Sequence, residues 1–365
     1  MLEAHEYLRK RIKYSRDLLS EKDLAKASEL ESSLRSDLKS FPKDPAAQAS
    51  LAARAESQVT RLFPPPRFAA WTDNIDVLLM AVVLALGIRA YFIQPFKIPT
   101  DSMKPTLYGI QVEPLPPDQR PHVLQLGIDW LVFGRAYCRI ETKQGGVVRS
   151  IQEGRLLGIP FLPKTDVVIG SERFSVPCTA KEFIQGSGLH PGEMVPARTV
   201  AANFTVTSGD HIFVNKMVYH FRRPERGEVF VFTTHNIPAI LRTMRPSEAT
   251  TQFYIKRCVG LPGDRLEIDP PFLLVNGERL GGRKVFDLMA TQSGGHTGYK
   301  IQGENQFLNS IGATYQVPSG TFWAMGDNSG FSFDSRGWGG VPRNNLVGTG
   351  LWVYWPVSSR WGAIR

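Results

Sequence analysis

Three segments of the sequence carry residue types that could do chemistry. In the first, Ser102 stands in a proline-rich stretch whose backbone is restricted to extended or turned conformations. In the second, Lys256 lies in a run of strand-forming residues, where alternation places it on the same face as Tyr254 and Cys258. The third is a loop over 326–342, rich in Gly, Asp, Asn and Ser. Taken singly, each has an ordinary interpretation: a turn serine, a solvated strand lysine, and a structural or calcium-binding loop.

Several common catalytic patterns are absent from the sequence. It contains no GxSxG elbow, no HExxH helix and no Walker phosphate loop. Its seven histidines are scattered, and none has a recognisable triad context. Cys138, Cys178 and Cys258 form no CxxC pair and no zinc spacing, so we expect buried free thiols, with a Cys138–Cys178 bridge as the alternative if that region is extracytoplasmic. A serine nucleophile would therefore need a base other than histidine.

A lysine can serve as that base if its environment is apolar. A serine hydroxyl is a poor nucleophile until a base removes its proton. For lysine to do so near neutral pH, its pKa must fall by about 3 units, which corresponds to about 4 kcal/mol of lost charge stabilisation. Tyr254, Ile255 and Val259 are suitable apolar neighbours of Lys256 in the sequence.

Together, the three segments resemble the conserved boxes of the type I signal peptidases. Pro99–Leu107 matches the family pattern Pro-Ser-x-Ser-Met-x-Pro-Thr-Leu, with Thr100 where the first serine usually stands. Tyr254–Asp264 fits the lysine box at nearly every position. The other matches are Gly209-Asp210, the strand motif Arg226–Phe232 with Glu228 where aspartate is common, and the loop Gly326–Pro342, which departs at Ser329, Gly330 and Phe331. Several boxes in the family's order make the resemblance specific.

The resemblance implies a serine endopeptidase that removes signal peptides after Ala-x-Ala-like sequences, without cofactor or metal. It makes Ser102 the nucleophile and Lys256 the general base, with Ser332 orienting the lysine amine. The Thr100 hydroxyl and the Ser102 N–H would form the oxyanion hole. An ion pair between Asp334 and Arg336 would brace the third loop. The residues expected to line small apolar substrate pockets are Phe96, Ile98, Met103, Leu107 and Ile255.

The elements that must position these residues differ along the chain. Residues 1–62 have apolar positions at helical spacing, and the prolines at 42, 45 and 64–66 predict two helices ending near Phe41 and Pro64. From residue 95 onward, short runs of Val, Ile and Phe are punctuated by Gly and Pro. Asn276-Gly277 between two apolar runs predicts a hairpin. We therefore expect a mainly β, antiparallel catalytic domain over 95–365, preceded by a helical arm over 1–70.

Between arm and catalytic domain, the sequence predicts a transmembrane anchor over 71–94. Val77–Ile88 is uninterrupted apolar sequence, and Trp71–Ile93 comprises 23 residues, enough to cross a hydrocarbon core of about 30 Å. A buried helix of a soluble protein is the alternative. Flanking charges do not settle orientation, but the resemblance places 1–70 in the cytoplasm and the catalytic domain outside a cell (inner or plasma) membrane. The expected partners are precursor proteins, membrane lipid and, as a candidate, the secretion machinery.

The net charge of +9 also invites a nucleic-acid partner, but the Lys and Arg residues are spread out and no nucleic-acid motif is present. About 100 residues, 108–207, separate the serine box from the Gly-Asp box, which follow one another almost directly in the family. We predict a β-rich insertion there, acting as a structural cover or as a surface facing substrate or translocon. Alternatives to a general signal peptidase are a Ser/Lys self-cleaving regulator, a peptidase of narrow specificity, and an inactive peptide-binding β domain.

Overall fold

The computed structural model describes residues 2–15, 20–39, 44–63, 69–119, 121–159, 162–243 and 252–364. The helices are α1 Leu2–Ser15, α2 Glu21–Lys39, α3 Pro45–Leu62, α4 Ala69–Tyr91, α5 Val123–Leu131, α6 Ala180–Ser187, α7 Val218–Phe221, α8 Pro238–Thr243, α9 Lys284–Ala290 and α10 Ser335–Trp338. The first ten strands are β1 Ile93–Lys97, β2 Gln111–Pro114, β3 Arg135–Glu141, β4 Gly146–Arg155, β5 Pro163–Ile169, β6 Glu172–Val176, β7 Met194–Val195, β8 Val200–Thr207, β9 His211–Asn215 and β10 Val229–Thr233. The others are β11 Phe253–Gly260, β12 Arg265–Asp269, β13 Phe272–Val275, β14 Glu278–Arg279, β15 Thr314–Gln316, β16 Thr321–Met325, β17 Val341–Pro342, β18 Leu346–Trp355 and β19 Gly362–Ala363.

The first of two compact units, Met1–Ala85, contains three packed helices before the apolar one. Leu8 of α1, Leu34 of α2, and Ala55 and Val59 of α3 form its small core. The prediction of two helices for this region was wrong, because the first predicted helix is divided into α1 and α2. No proline or glycine in the sequence signals that division. Residues 41–43 and 64–66, expected to end helices, lie outside the described residues.

Helix α4 is the candidate membrane span. Its segment Asn74–Tyr91 is long and apolar enough to cross a bilayer, and no part of it is buried against the protein. The helix ends at Tyr91, short of the predicted boundary at 94, because Ile93 is the first residue of β1 and pairs with Asn215 of β9.

The second unit, Leu86–Arg365, is built on an eight-stranded antiparallel sheet. Its order is β1-β9-β18-β10-β11-β16-β17, with β19 added beside β18. A four-stranded sheet has the order β14-β13-β12-β15, and its strands lie between β11 and β16 in the sequence. In the turn between β13 and β14, Asn276 and Gly277 have φ of 57° and 90°, as a type I′ turn requires. The predicted antiparallel β fold and this hairpin are confirmed.

The insertion forms two further sheets around a core of its own. One has the order β2-β8-β3 and the other β6-β5-β4-β7. Phe183 of α6 and Phe204 of β8 are fully buried between them. Cys138 and Cys178 are free thiols buried in this same core, and Cys258 is free and buried in the catalytic sheet. The insertion also contains the helices α5 and α6.

Candidate active site

The structure brings Ser102 and Lys256 together, although 154 residues separate them in the sequence. Ser102 lies in a short turn, Asp101–Met103, that follows β1, and Lys256 lies on the central strand β11. Lys256 Nζ is 2.8 Å from Ser102 Oγ and 3.1 Å from the carbonyl oxygen of Ile255, to which it donates. Both side chains are buried, with 8% of Ser102 and 5% of Lys256 exposed.

The environment of Lys256 disfavours its charged form. Burial lowers the pKa of the amine from 10.5 to about 8, against the opposing effect of the Asp334 and Asp327 carboxylates. Around β11, Phe230 pairs with Lys256 from β10, while Tyr254 and Cys258 share its face of the strand as the alternation predicts. An amine of this kind is partly neutral near neutral pH and can then accept a proton from the serine hydroxyl 2.8 Å away.

The backbone around Ser102 is held by Asp210, which has no solvent exposure. The Asp210 carboxylate accepts from the Tyr108 N–H at 2.8 Å, and its carbonyl accepts from the Ile98 N–H at 2.8 Å. Arg360 donates to both carboxylate oxygens, at 2.8 and 2.9 Å, and lies over the Tyr108 ring. Asp210 therefore fixes the chain on both sides of the serine turn, and Arg360 neutralises its buried charge.

A second buried ion pair joins the three functional segments. Arg257 follows the lysine on β11, and its Nε and Nη2 donate to the two oxygens of Asp327 at 2.7 and 2.6 Å. Thr106, four residues beyond the serine, accepts from Arg257 and donates to Asp327. Arg257 also donates to the Gly227 carbonyl at 2.6 Å. One guanidinium thus ties the serine segment, the lysine strand and the third loop together.

The third loop packs closely against the serine. Asp334 and Arg336, both fully buried, form a bidentate ion pair, and Asp334 also accepts from the Gly326 N–H at 3.1 Å. A β-carbon at Gly326 would come within 2.3 Å of both Ser102 O and Ser332 Oγ, so glycine is required for this approach. The Ser332 hydroxyl is buried and has no hydrogen-bond partner within the described residues.

A cleft with a cavity volume of about 360 Å³ opens beside the dyad. Ser102, Lys256, Thr100 and Ile255 are among the predicted residues that line it. Its apolar wall is formed by side chains that were not predicted to line a substrate pocket: Pro99, Phe253, Tyr254, Phe331 and Phe333. Phe331 is 82% exposed and Phe333 is 42% exposed, although both flank the buried Ser332.

Four of the five predicted pocket residues, Phe96, Ile98, Met103 and Leu107, do not line this cleft. Met103 and Leu107 have no exposed surface, and Ile98 is 3% exposed, because all three pack into the core between the serine turn and the sheet. The burial of Ile98, Met103 and Leu107 corrects the expectation that these three residues contact substrate. Phe96 is half-buried and packs edge-on against Phe253, with ring centroids 5.1 Å apart, so it supports the cleft wall.

Comparison with known proteins places these residues in context. Residues 193–355 match the family model described as signal peptidase, peptidase S26. This range includes Lys256, Ser332 and the Asp334–Arg336 pair but begins after Ser102 and most of the insertion. The position of Ser102 at the site therefore rests on the observed geometry.

Among curated proteins, the chain is similar to signal peptidase I of Leptolyngbya laminosa, at 32% identity over 42% of this chain and 64% of that protein. It is 30% identical to signal peptidase I of Bacillus caldolyticus over 42% of this chain and 73% of that one. It is 31% identical to probable signal peptidase I-2 of Synechocystis over 42% and 58% of the two chains. The chain thus spans about three-fifths of the length of the Leptolyngbya and Synechocystis relatives. A crystal structure of a signal peptidase I from Enterococcus faecalis covers 35% of this chain and 97% of its own, at 25% identity with a TM-score of 0.24.

Proposed function

Because the chain belongs to the signal peptidase I family, we propose that it is a membrane-anchored serine endopeptidase that removes N-terminal signal peptides from exported precursors. The observation that carries the proposal is the distance of 2.8 Å between Ser102 Oγ and Lys256 Nζ in a buried site. Burying a lysine amine costs free energy, and a contact with serine that had no function would not require that burial. Here the burial instead favours the neutral form that a general base requires.

In the proposed reaction, the neutral Lys256 amine takes the Ser102 hydroxyl proton as Oγ attacks the scissile carbonyl carbon. The resulting ammonium then gives this proton to the leaving amine, and an acyl-enzyme forms on Ser102. Lys256 next takes a proton from water as the water oxygen attacks the ester carbonyl. The lysine ammonium then gives this proton to Ser102 Oγ as the ester bond breaks, which releases the signal peptide with a free carboxyl group and restores the neutral amine. No cofactor is needed for these steps.

The proposed oxyanion donors are the Ser102 N–H and the hydroxyl of Thr100, which lines the same cleft. Threonine retains the donor that serine supplies at this position in the family. Ser332 is proposed to hydrogen-bond the Lys256 amine during the reaction. Its buried hydroxyl supports this role because it has no other partner within the described part of the chain.

The proposed substrates carry small residues before the scissile bond, in Ala-x-Ala-like sequences. The cleft beside the dyad has a volume of about 360 Å³ and an apolar aromatic wall. Ile255 contributes to this wall beside the lysine. The apolar wall favours apolar side chains, because charged ones would lose hydration without gaining a partner. The restriction to small residues is proposed from the resemblance to the family.

The proposed topology has α4 crossing the cell membrane once, with residues 1–70 in the cytoplasm and the catalytic unit outside. Its support is the apolar segment Asn74–Tyr91, which ends only eleven residues before Ser102. Protease added to intact spheroplasts should digest residues 95–365 and leave 1–70 intact. The reverse pattern would refute this orientation, and protection of both parts would exclude an external catalytic unit.

The activity is tested with the full chain in detergent and a synthetic precursor peptide carrying an Ala-x-Ala site. We expect single cleavage after that site by the wild type and none by Ser102→Ala. Ser310→Ala, which removes an exposed hydroxyl outside the cleft, is the matched control and should retain wild-type activity. Equal cleavage by wild type and Ser102→Ala would overturn the assignment.

A further inference from the structure

The third loop presents two aromatic side chains to solvent at the edge of the catalytic cleft. Phe331 and Phe333 are exposed, whereas Ser332 between them is buried. Ser332 has extended backbone angles, with φ of −115° and ψ of 118°, so its side chain points inward and its two neighbours point outward. Phe331 is also a position at which this chain departs from the polar residues usual in the family's loop.

The backbone that carries Phe331 is held from beneath. Arg336, which is fully buried, donates to the carbonyl oxygens of Ser329 at 2.7 Å and of Ser332 at 3.4 Å, on the two sides of Phe331. The Phe331 N–H donates to Asn328 O at 2.9 Å. The exposed ring therefore projects from a fixed loop.

Phe333 is braced by packing. Its ring lies edge-on against Trp338, with centroids 5.0 Å apart, and Trp338 in turn packs against Tyr254 of the lysine strand at 5.6 Å. A β-carbon at Gly337 would come within 2.6 Å of the Phe333 ring, so glycine permits this position. Both aromatic rings are thus in place before any ligand binds.

Phe331 and Phe333 also line a second cleft, which has a volume of about 380 Å³. The other residues that line this second cleft are mostly polar: Gln302, Glu304, Asn305, Gln306, Ser332 and Gly337. Amide side chains carry both hydrogen-bond donors and acceptors. They can therefore bind the backbone of an extended peptide whatever its side chains are.

The proposed reaction gives a direction to the path between the two clefts. Lys256 donates its proton to the leaving amine, so that nitrogen must lie within about 3 Å of Lys256 Nζ. The residues before the scissile bond occupy the cleft beside Ile255, as proposed above. The segment after the bond therefore leads away from them, starting at the lysine.

The second cleft begins close to this starting point. A β-carbon at Gly326 would come within 2.3 Å of both Ser102 O and Ser332 Oγ, so Ser332, which lines the second cleft, lies beside the residue of the nucleophile. Three residues of extended peptide span about 10 Å. A segment of that length can pass from the dyad over Phe331 and Phe333 into the second cleft.

We propose that Phe331 and Phe333 contact the residue directly after the scissile bond and that the second cleft binds the next two or three residues. The ligand of the second cleft is then the extended N-terminal segment of the mature protein, held until the leaving amine is released. This inference rests on the proposed function, because it assigns a further binding site for the same substrate.

The test compares two synthetic precursor peptides that share one Ala-x-Ala site, with the full chain in detergent. The long peptide continues for six residues after the scissile bond, and the short peptide ends as an amide after one residue. For the wild type we expect kcat/KM to be at least tenfold higher with the long peptide. Phe331→Ala should lower kcat/KM at least fivefold more for the long peptide than for the short one.

A second variant tests the second cleft itself. Gln306→Trp places a bulky side chain at an exposed position that lines this cleft, and it should also lower kcat/KM more for the long peptide. The matched control is Phe221→Ala, which removes an aromatic side chain that is 80% exposed in α7. This control should cleave both peptides as the wild type does.

Equal kcat/KM of the wild type for the two peptides would overturn the inference. Equal losses for both peptides in Phe331→Ala would also overturn it, since the loop would then act on the dyad and not on the leaving segment. Gln306→Trp without a selective loss would overturn the assignment of the second cleft. In each of these results the wild type still cleaves, so the proposed function stands. Failure of the folded wild type to cleave either peptide would instead overturn the proposed function, and this inference with it.

Discussion

Replacing Lys256 with methionine tests whether burial depresses the pKa of the lysine. The folded-state pKa is about 8, against 10.5 for an unperturbed lysine, and this difference corresponds to about 3 kcal/mol. Below pH 8 the amine is charged in both states, so the folded protein bears the full cost of burying the ammonium. Between pH 8 and 10.5 the folded state releases its proton first, so the unfolded state binds more protons and stability rises with pH. Above 10.5 the cost has disappeared.

Methionine at this position cannot titrate, so its protein lacks this pH dependence. We expect the free energy of unfolding of wild type, relative to Lys256→Met, to rise by about 3 kcal/mol between pH 7 and pH 10.5. Other titrating groups are common to both proteins and cancel in the difference. Denaturation can be followed by tryptophan fluorescence, because six of the seven tryptophans lie in the second unit. Lys284→Met removes an exposed lysine and should retain the wild-type dependence.

The same titration governs activity. With a pKa of about 8, the neutral fraction of Lys256 rises from about 9% at pH 7 to about 91% at pH 9. The kcat/KM for the precursor peptide should therefore rise about tenfold over this range. Parallel stability curves for wild type and Lys256→Met would refute the depressed pKa. A flat or falling kcat/KM from pH 7 to 9 would refute the role of neutral Lys256 as base.

Four further predictions concern the surroundings of the dyad. Asp327→Asn removes the carboxylate that forms the buried ion pair with Arg257 and should lower the free energy of unfolding by about 3–5 kcal/mol in urea denaturation; an unchanged midpoint would contradict this. Gly326→Ala brings a β-carbon within 2.3 Å of Ser102 O and should reduce peptide cleavage at least tenfold, whereas Gly303→Ala, with nothing within 4 Å, should not. Ser332→Ala removes a hydroxyl without a partner, so the melting temperature should stay within a few degrees while kcat falls at least tenfold; wild-type kcat would refute its role. Replacing 112–206 with a two- or three-residue turn should preserve cleavage of a detergent-soluble peptide, and loss of activity in a folded protein would show that the insertion contributes to the site.

The sequence was most informative where function depends on local residue order. The strand alternation around Lys256 and the Asn276-Gly277 turn are local features, and both appear in the structure as the sequence predicts. The pairing of Ser102 with Lys256 was predicted from the resemblance of these segments to the conserved boxes of the family, because no local pattern indicates it. Their contact depends on the order of strands in the eight-stranded sheet.

Long-range partners and burial were not predictable in the same way. Arg360 pairs with Asp210 across 150 residues, and no sequence motif indicates that these two residues form an ion pair. The family resemblance implied that Met103 and Leu107 contact substrate. However, the order of residues does not show whether an apolar side chain beside the nucleophile faces a pocket or the core. Only the direction of the turn Asp101–Met103 decides between the two, and it directs them inward.

The placement of the insertion explains how about 100 inserted residues can lie between Ser102 and Lys256 without moving either. The Asp210 N–H donates to Tyr108 O at 2.9 Å, while the Asp210 carboxylate accepts from the Tyr108 N–H. Beyond this contact, Gln111 pairs with Thr207, so the chain leaves and re-enters the catalytic unit at neighbouring positions. The insertion has a buried apolar core of its own. Changes in its length or fold therefore need not move Ser102, because Asp210 closes the entry point before the insertion begins.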